Sequence, residues 1–291
     1  MLLRSYRGKT FGERASPWFG LRPKNLRPVL PGIAEPRTGL SMGESTELMV
    51  KTWGITRVEQ DQLALESHQK AAAAYASGFY KDLVQDYLGV AEDNNIRRDT
   101  SLDKLAKLKP VFDTSGSGTL TAGNSTPMTD GASAVLLATE AWAREQNLPV
   151  LAFLSYGAVA AVDYIDKKEG LLMAPAYAVP RMLNDAHLAL QDFDFYEIHE
   201  AFAGQVLCTL KAWADPAFCR DRLGLSAPLG VIDRAKLNVK GGSIALGHPF
   251  AATGTRIVAS LAKILDAERA KRGLISICTA GGMGVTAILE R

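Results

Sequence analysis

Cysteine is scarce in this sequence. Among 291 residues only Cys208, Cys219 and Cys278 occur, and three widely spread thiols make neither a disulfide framework nor a zinc site. A reducing compartment is expected, the cytoplasm or, in a eukaryote, the mitochondrion. Long apolar runs are missing as well: none approaches the roughly 20 residues that cross a bilayer. Charge of one sign is not in surplus either. With 33 basic and 31 acidic residues the net charge is +2, so the bulk charge points to no nucleic-acid partner. Histidine is scarce too, four in all. What is present is the balance of a globular protein with a real core, 47% hydrophobic and 22% charged residues, in one large domain or two of ordinary size.

The first thirty residues depart from that balance. Arg4, Arg7, Lys9, Arg14, Arg22, Lys24 and Arg27 stand against a single acid, Glu13, with Tyr6, Phe11, Trp18 and Phe19 interleaved. Such a stretch reads as an exposed, poorly ordered leader, as a transit peptide, or as a basic aromatic segment making weak contact with anionic lipid or a partner subunit. Pro28, Pro31, Pro36 and Gly39 then punctuate a loop. A helix over Glu47–Trp53 is expected to end at Gly54. Thr56 and Glu59 have the spacing of a capping box ahead of a helix from about Val58 to Ser77. Residues 86–118 read as polar loop with one short helix near Leu102–Lys107, and a further helix is expected from near Asp130 to about Glu145.

From Pro149 the rhythm changes to strands alternating with helices. Strands are expected at Val150–Tyr156 (buried), Phe193–Ile198, Lys236–Val239, Leu274–Cys278 and Met283–Leu289. Helices are expected at Pro180–His187, Phe202–Trp213 and Thr253–Arg269. That order, βαβαβαββ, predicts an α/β fold with a mostly parallel sheet covered by helices and a closing hairpin through Thr279–Gly282. In such sheets ligands bind beyond the carboxyl ends of the strands. Three clusters fall there: His199-Glu200-Ala201-Phe202, then Gly241 through Pro249 with His248, then Cys278 through Gly284. Singly each has a plain structural reading, since a buried thiol is commonly a small hydrophobe. Jointly, two imidazoles and a thiol at successive strand ends read as a site.

These residues also carry a family resemblance. Asn238 through Pro249, with Gly254 and Arg256, resembles the thiolase signature around Gly-His-Pro, and Cys278–Gly284 is similar to that family's C-terminal cysteine–glycine signature. Thr121–Thr126 with Asp130-Gly131-Ala132 resembles the loop after the family's lid. Ser41–Glu47, Gln60-Asp61 and Ser67-His68 resemble the lid itself. His199 in His-Glu-Ala-Phe, Gly-His-Pro-Phe-Ala-Ala-Thr-Gly and Thr129 are similar to the 3-ketoacyl-CoA thiolase subunit of the trifunctional fatty-acid oxidation complex.

The resemblance implies a thiolase-like α/β fold. Residues 1–120 would be lid and loop region with the basic leader, 121–148 a remnant of the N-terminal domain, and 149–291 a complete C-terminal domain. It implies cleavage of 3-ketoacyl-CoA by coenzyme A, giving acetyl-CoA and a shortened acyl-CoA. Coenzyme A is then a co-substrate, with no permanently bound cofactor and no metal. His248 would activate a nucleophilic cysteine, Cys278 would be the acid/base, and His199 and the Ala280 N–H would stabilise oxyanions. Met42, Thr126 and Phe202 would contact pantetheine and Arg97 the nucleotide. Expected partners are acyl-CoA, a second copy of the chain, or a hydratase/dehydrogenase subunit of β-oxidation. The family's nucleophile segment precedes the lid, and here the lid begins close to Met1. The nucleophile-bearing N-terminal domain is therefore expected to be absent, leaving a truncated half or a subunit completed by a second chain. Gly39-Leu40-Ser41-Met42-Gly43 also fits the serine-hydrolase pattern, but that pattern needs a preceding strand, which Pro31 and Pro36 oppose. Gly116-Ser117-Gly118 reads as a turn.

Overall fold

Short polar side chains start most of the helices. The computed structural model describes residues 2–22, 32–166 and 169–291; Lys24, Arg27, Pro28 and Pro31 lie outside the described residues. The chain divides into a small unit, Met1–Ile33, and a large one, Ala34–Arg291. In the small unit the basic leader forms two short helices, α1 (Leu2–Arg7) and α2 (Phe11–Phe19). This corrects the poorly ordered leader: Thr10 and Glu13 make a reciprocal capping box that starts α2, although no residue of that helix is buried.

In the large unit α3 (Met42–Trp53) begins at Ser41, whose hydroxyl accepts from the Glu44 N–H while the Glu44 carboxylate accepts from the Ser41 N–H. Ser41 is thus a helix cap after a loop, and the hydrolase reading of residues 39–43 lapses. Gly54 closes α3 in the left-handed region at φ 60°. The Thr56–Glu59 capping box starts α4 (Arg57–Ala76). Next come α5 (Leu102–Ala106) and α6 (Glu140–Glu145). The helix expected from Asp130 is confined to α6. Leu136 and Leu137 are 71% and 68% exposed, and a helix gains most of its stability from packing an apolar face that these residues do not find.

The sheet has four strands: β1 (Phe153–Ala161), β2 (Phe195–Ile198), β3 (Arg272–Thr279) and β4 (Met283–Glu290), in the order β1-β4-β3-β2. β2 runs parallel to β3, and β4 is antiparallel to both β3 and β1. Between them run α7 (Pro175–Ala186), α8 (Ala203–Ala214), α9 (Pro216–Asp221), α10 (Ser243–Leu246) and α11 (Thr253–Ala267). Two expected strands are corrected. β1 starts three residues later than expected and is largely exposed rather than buried; it forms one edge of the sheet, and its apolar run finds less cover than the other edge strand, β2. Lys236–Val239 is no strand: Leu237 makes one isolated bridge to Tyr196. Asn238 turns to φ 45°, and its side chain replaces the ladder by bonding the N–H and C=O of Ile198 at 2.8 and 2.9 Å.

Alternation along β3 and β4 sorts the core into two layers. Leu274 and Ile288 meet Val179 and Met182 of α7 and Val206 and Trp213 of α8, whereas Ile275 and Leu289 meet Ile257, Leu261 and Leu265 of α11. Each such side chain, fully buried, contributes about 1.5–3 kcal/mol. Helices α7 and α8 thus cover one face of β3 and β4 and α11 the other, and polar groups follow the carboxyl ends of β2 and β3.

Candidate active site at the strand ends

Past Ile198 the chain stays paired for one more residue, the His199 N–H donating to the Ser276 carbonyl at 2.9 Å. Glu200 then turns inward and is 2% exposed. Its carboxylate accepts from the Ser67 hydroxyl of α4 at 2.7 Å, from Asn238 Nδ2 at 2.6 Å and from the Ile244 N–H at 3.2 Å. The Gly242 N–H closes this hub by donating to Ser67 Oγ at 3.1 Å. Gly242 has to be glycine, since a Cβ there would lie 2.2–2.4 Å from the Glu200 carboxyl atoms. After α10 the chain reverses at Gly247, φ 87°, and delivers His248.

The strip 124–128 stitches the two histidine segments together. Asn124 O accepts from the Ala203 N–H at 2.9 Å and the Thr126 N–H donates to Ala201 O at 3.0 Å. On its other side the Thr126 hydroxyl donates to Ser243 O at 2.6 Å, and the His248 N–H donates to Pro127 O at 3.0 Å. The two imidazole rings end 4.4 Å apart, centroid to centroid, tilted by 46°. Cys278 stands two residues beyond Ser276 on β3, opposite Gly284, and packs in one apolar cluster with Ala201 and Phe202.

Burial dominates the electrostatics. It drives His199 well below the usual imidazole range, with His248 and then Arg256 adding to the effect. His248 is lowered by burial and by Arg256, so the surroundings favour the neutral form of both rings. Burial pushes the Cys278 thiol up to about 12 and Cys208 higher still. Cys219 gives its S–H to the Ala212 and Trp213 carbonyls. All three sulfurs are buried, free thiols. Glu197, next along β2, is raised to about 8 by burial and then by Glu200.

Of the expected coenzyme contacts, Met42 and Phe202 lie in the same cluster as Cys278, with Phe112 edge-on to Phe202 at 5.7 Å. Thr126 is tied to Ser243 as described. Arg97 is not gathered with them. Its N–H donates to His68 Nδ1 on α4 at 3.1 Å, and its neighbour Ile96 belongs to a different cluster, with Ala71 and Ala245. Ala280 is exposed on the turn between β3 and β4, followed by Gly281 and Gly282 at φ 77° and 74°. A cavity of about 460 Å³ opens beside this region, walled by Leu40, Met49, Tyr164, Met173 and Phe218, with the Glu169–Arg222 ion pair at its lining. Met49, Met173 and Phe218 belong to the Cys278 cluster as well. No group of three metal-ligating side chains occurs among the described residues.

Sequence reasoning assigned no task to Glu200, Ser67, Ser243, Thr253 or Arg256. Their signal was membership of the quoted motifs; their bonds connect segments up to 175 residues apart, which no local pattern shows.

An α/β unit with an imidazole just past one strand, a second imidazole paired to it from the turn after α10, and a buried thiol at the end of the neighbouring strand defines a class, and comparison with known proteins supplies the family. Residues 148–291 match the family described as "Thiolase, C-terminal domain" and residues 24–141 "Thiolase, N-terminal domain". The chain is 45% identical over 290 residues to the 3-ketoacyl-CoA thiolase of Pectobacterium atrosepticum, covering 98% of this chain and 65% of that protein. It is 43% identical over 295 residues to the enzyme of the same name from Yersinia pestis, covering 99% and 67%. The crystal structure of human mitochondrial 3-ketoacyl-CoA thiolase in complex with CoA aligns with TM-score 0.77 and 31% identity, covering 92% of this chain and 66% of that one. This chain belongs to the thiolase family. It spans about 65% of the length of the first of these relatives. The match at 24–141 means that the N-terminal family domain is represented, so its expected absence is not borne out.

Proposed function

We propose that this chain supplies the acid/base and oxyanion groups of a 3-ketoacyl-CoA thiolase. The observation that carries the reading is the 4.4 Å pairing of the His199 and His248 rings beside the strand end that bears Cys278. In the first half-reaction a cysteine thiolate attacks the 3-keto carbon of a 3-ketoacyl-CoA, and the bond between its α and β carbons breaks. The electron pair leaves with acetyl-CoA as an enolate, which takes the proton of Cys278. A thiol held near pKa 12 by burial is protonated at that moment and strongly basic once it has given the proton up. In the second half-reaction Cys278 therefore takes the proton from coenzyme A, whose sulfur attacks the acyl-enzyme and releases a shortened acyl-CoA.

Neutral His248 is the base that raises the thiolate fraction of the nucleophile. His199 and the Ala280 N–H stabilise the thioester oxyanions, and each such donor is worth on the order of a hundredfold in rate. Met42 and Phe202 wall the pantetheine and Thr126 flanks it. Arg97 meets the nucleotide only if coenzyme A reaches the flank of α4. The cavity against Met49 and Met173 suits an acyl chain, in keeping with sites of roughly 300–1,000 Å³ for small ligands and with a place in fatty-acid β-oxidation. None of the chain's own cysteines suits the nucleophile: Cys208 and Cys219 are core thiols and Cys278 has the other role. The nucleophile accordingly comes from polypeptide other than these 291 residues. A second copy or a hydratase/dehydrogenase subunit is the expected protein partner, and the basic aromatic helices α1 and α2 suit weak contact with an anionic membrane.

The test is thiolysis of a 3-ketoacyl-CoA by the purified chain, with and without a separate thiolase polypeptide that carries the nucleophilic cysteine. Turnover only in the mixture is expected; robust turnover by the chain alone would overturn the assignment of the missing nucleophile.

A further inference from the structure

The two imidazoles are held by two hydroxyls whose second partners are of opposite kind, a guanidinium donor for Ser243 and a carbonyl acceptor for Thr253. His199 Nδ1 lies 2.8 Å from Ser243 Oγ, and His248 Nδ1 lies 2.7 Å from Thr253 Oγ1. A hydroxyl has one proton to give and two lone pairs to receive with, so the remaining partner of each oxygen decides which ring nitrogen carries hydrogen.

Ser243 Oγ receives a hydrogen bond from Arg256 Nη2 at 2.7 Å. A guanidinium only donates, and Arg256 is fixed in that pose by a second bond from Nη1 to the Gly247 carbonyl at 3.0 Å. With one lone pair taken, the Ser243 proton has His199 Nδ1 as its partner. Thr253 has the opposite kind of second partner. The Pro249 carbonyl one turn back, at 3.3 Å, only accepts; with the hydroxyl proton directed there, the Thr253 oxygen receives from His248 Nδ1.

We infer that Arg256 and Ser243 are positioning residues that fix His199 with its proton on Nε2, while Thr253 fixes His248 with its proton on Nδ1 and a free lone pair on Nε2. One ring then presents a donor and the other a base, although they are the same residue type at contact distance. Arg256 serves the arrangement twice, since its charge beside two buried rings also disfavours a second proton on either. Of the other charged groups around the network, Glu200 is occupied by Ser67, Asn238 and Ile244. Glu197 lines, with Ser243, Arg256 and Ser260, a void of about 10 Å³, at the lower limit of space for one water. A Ser243 hydroxyl turned into that void is the competing arrangement, and it would put the His199 proton on Nδ1.

The catalytic consequence rests on the thiolase reading; the protonation pattern does not, and nuclear magnetic resonance of the chain with ¹⁵N-labelled histidine separates the two. Long-range ¹⁵N–¹H correlations identify which nitrogen of each ring is protonated. Expected are a protonated Nε2 on His199 and a protonated Nδ1 on His248. Ser243→Ala should lose the preference at His199 while His248 keeps its own, and Ser243→Thr should retain it by keeping the hydroxyl. A protonated Nδ1 on His199 in the unaltered chain, or an unchanged pattern in Ser243→Ala, would overturn the inference. In the complemented thiolysis assay Ser243→Ala should lower kcat on the order of a hundredfold, the loss of one oriented donor, with KM for coenzyme A little changed. The expected protonation pattern without any thiolysis would leave the inference standing and count against the proposed function instead.

Discussion

The two edges of the sheet are built on opposite terms. At the β2 edge, polar groups are buried and bonded: Glu200, Asn238, Ser67 and Ser243 are all under 3% exposed, and they join α4, β2 and α10 in one network. At the β1 edge, apolar groups are exposed and unbonded, with Leu154 at 53% and Val159 at 66% exposed. The first arrangement is costly to disturb, because each buried polar group that loses its partner keeps its desolvation penalty. The second is tolerant of change but favours association. Order at the candidate site is therefore set from within the large unit, by polar bonds rather than by apolar bulk alone.

Gly242→Ala should break that contrast most severely. Its Cβ would displace the Glu200 carboxylate, and a loss of about 3 kcal/mol or more is expected, read as a lower urea midpoint at unchanged slope. A near-normal midpoint would show that the hub can relax. Glu197→Gln probes the same edge through pH. Because burial raises Glu197 to about 8 from 4.5, its stabilising share is whole below pH 4.5 and is lost as pH rises through 8. Tm of Glu197→Gln minus Tm of the unaltered chain should therefore grow by a few degrees between those limits. His199 and His248, whose values are lowered from 6.5, work in the opposite sense and withdraw stability as pH falls below 6.5. A pH-independent difference for Glu197→Gln would mean that the carboxyl is hydrated. On the far edge Val159→Lys should shift stability by less than about 0.5 kcal/mol yet reduce self-association on sizing chromatography; an unaltered elution profile would remove the patch as a cause.

Much of this was written locally. The capping residues Thr56 and Glu59, the terminator Gly54 and the clusters around His199, His248 and Cys278 are visible because their chemistry acts within a few residues, although only the first and last of those clusters follow a strand. The failures share a physical cause. Lys236–Val239 has a strand's composition, but the Asn238 side chain takes over the pairing that its backbone would have made. Residues 130–139 have a helix's composition, yet no packed face rewards the helix. β1 was read as buried from its apolar run, while burial of an edge strand depends on what lies against it. Arg256 and Ser243 belong to a quoted motif, but their hold on His199 arises only when α10 and α11 are folded beside β2.

The account stands most directly on complemented thiolysis by Cys278→Ala and His248→Ala, each checked for unaltered circular dichroism. Rates lowered at least on the order of a hundredfold in both variants are predicted. A folded variant that still turns over at the unaltered rate would show that its side chain takes no part in the chemistry, and the shared site at the strand ends would be contradicted.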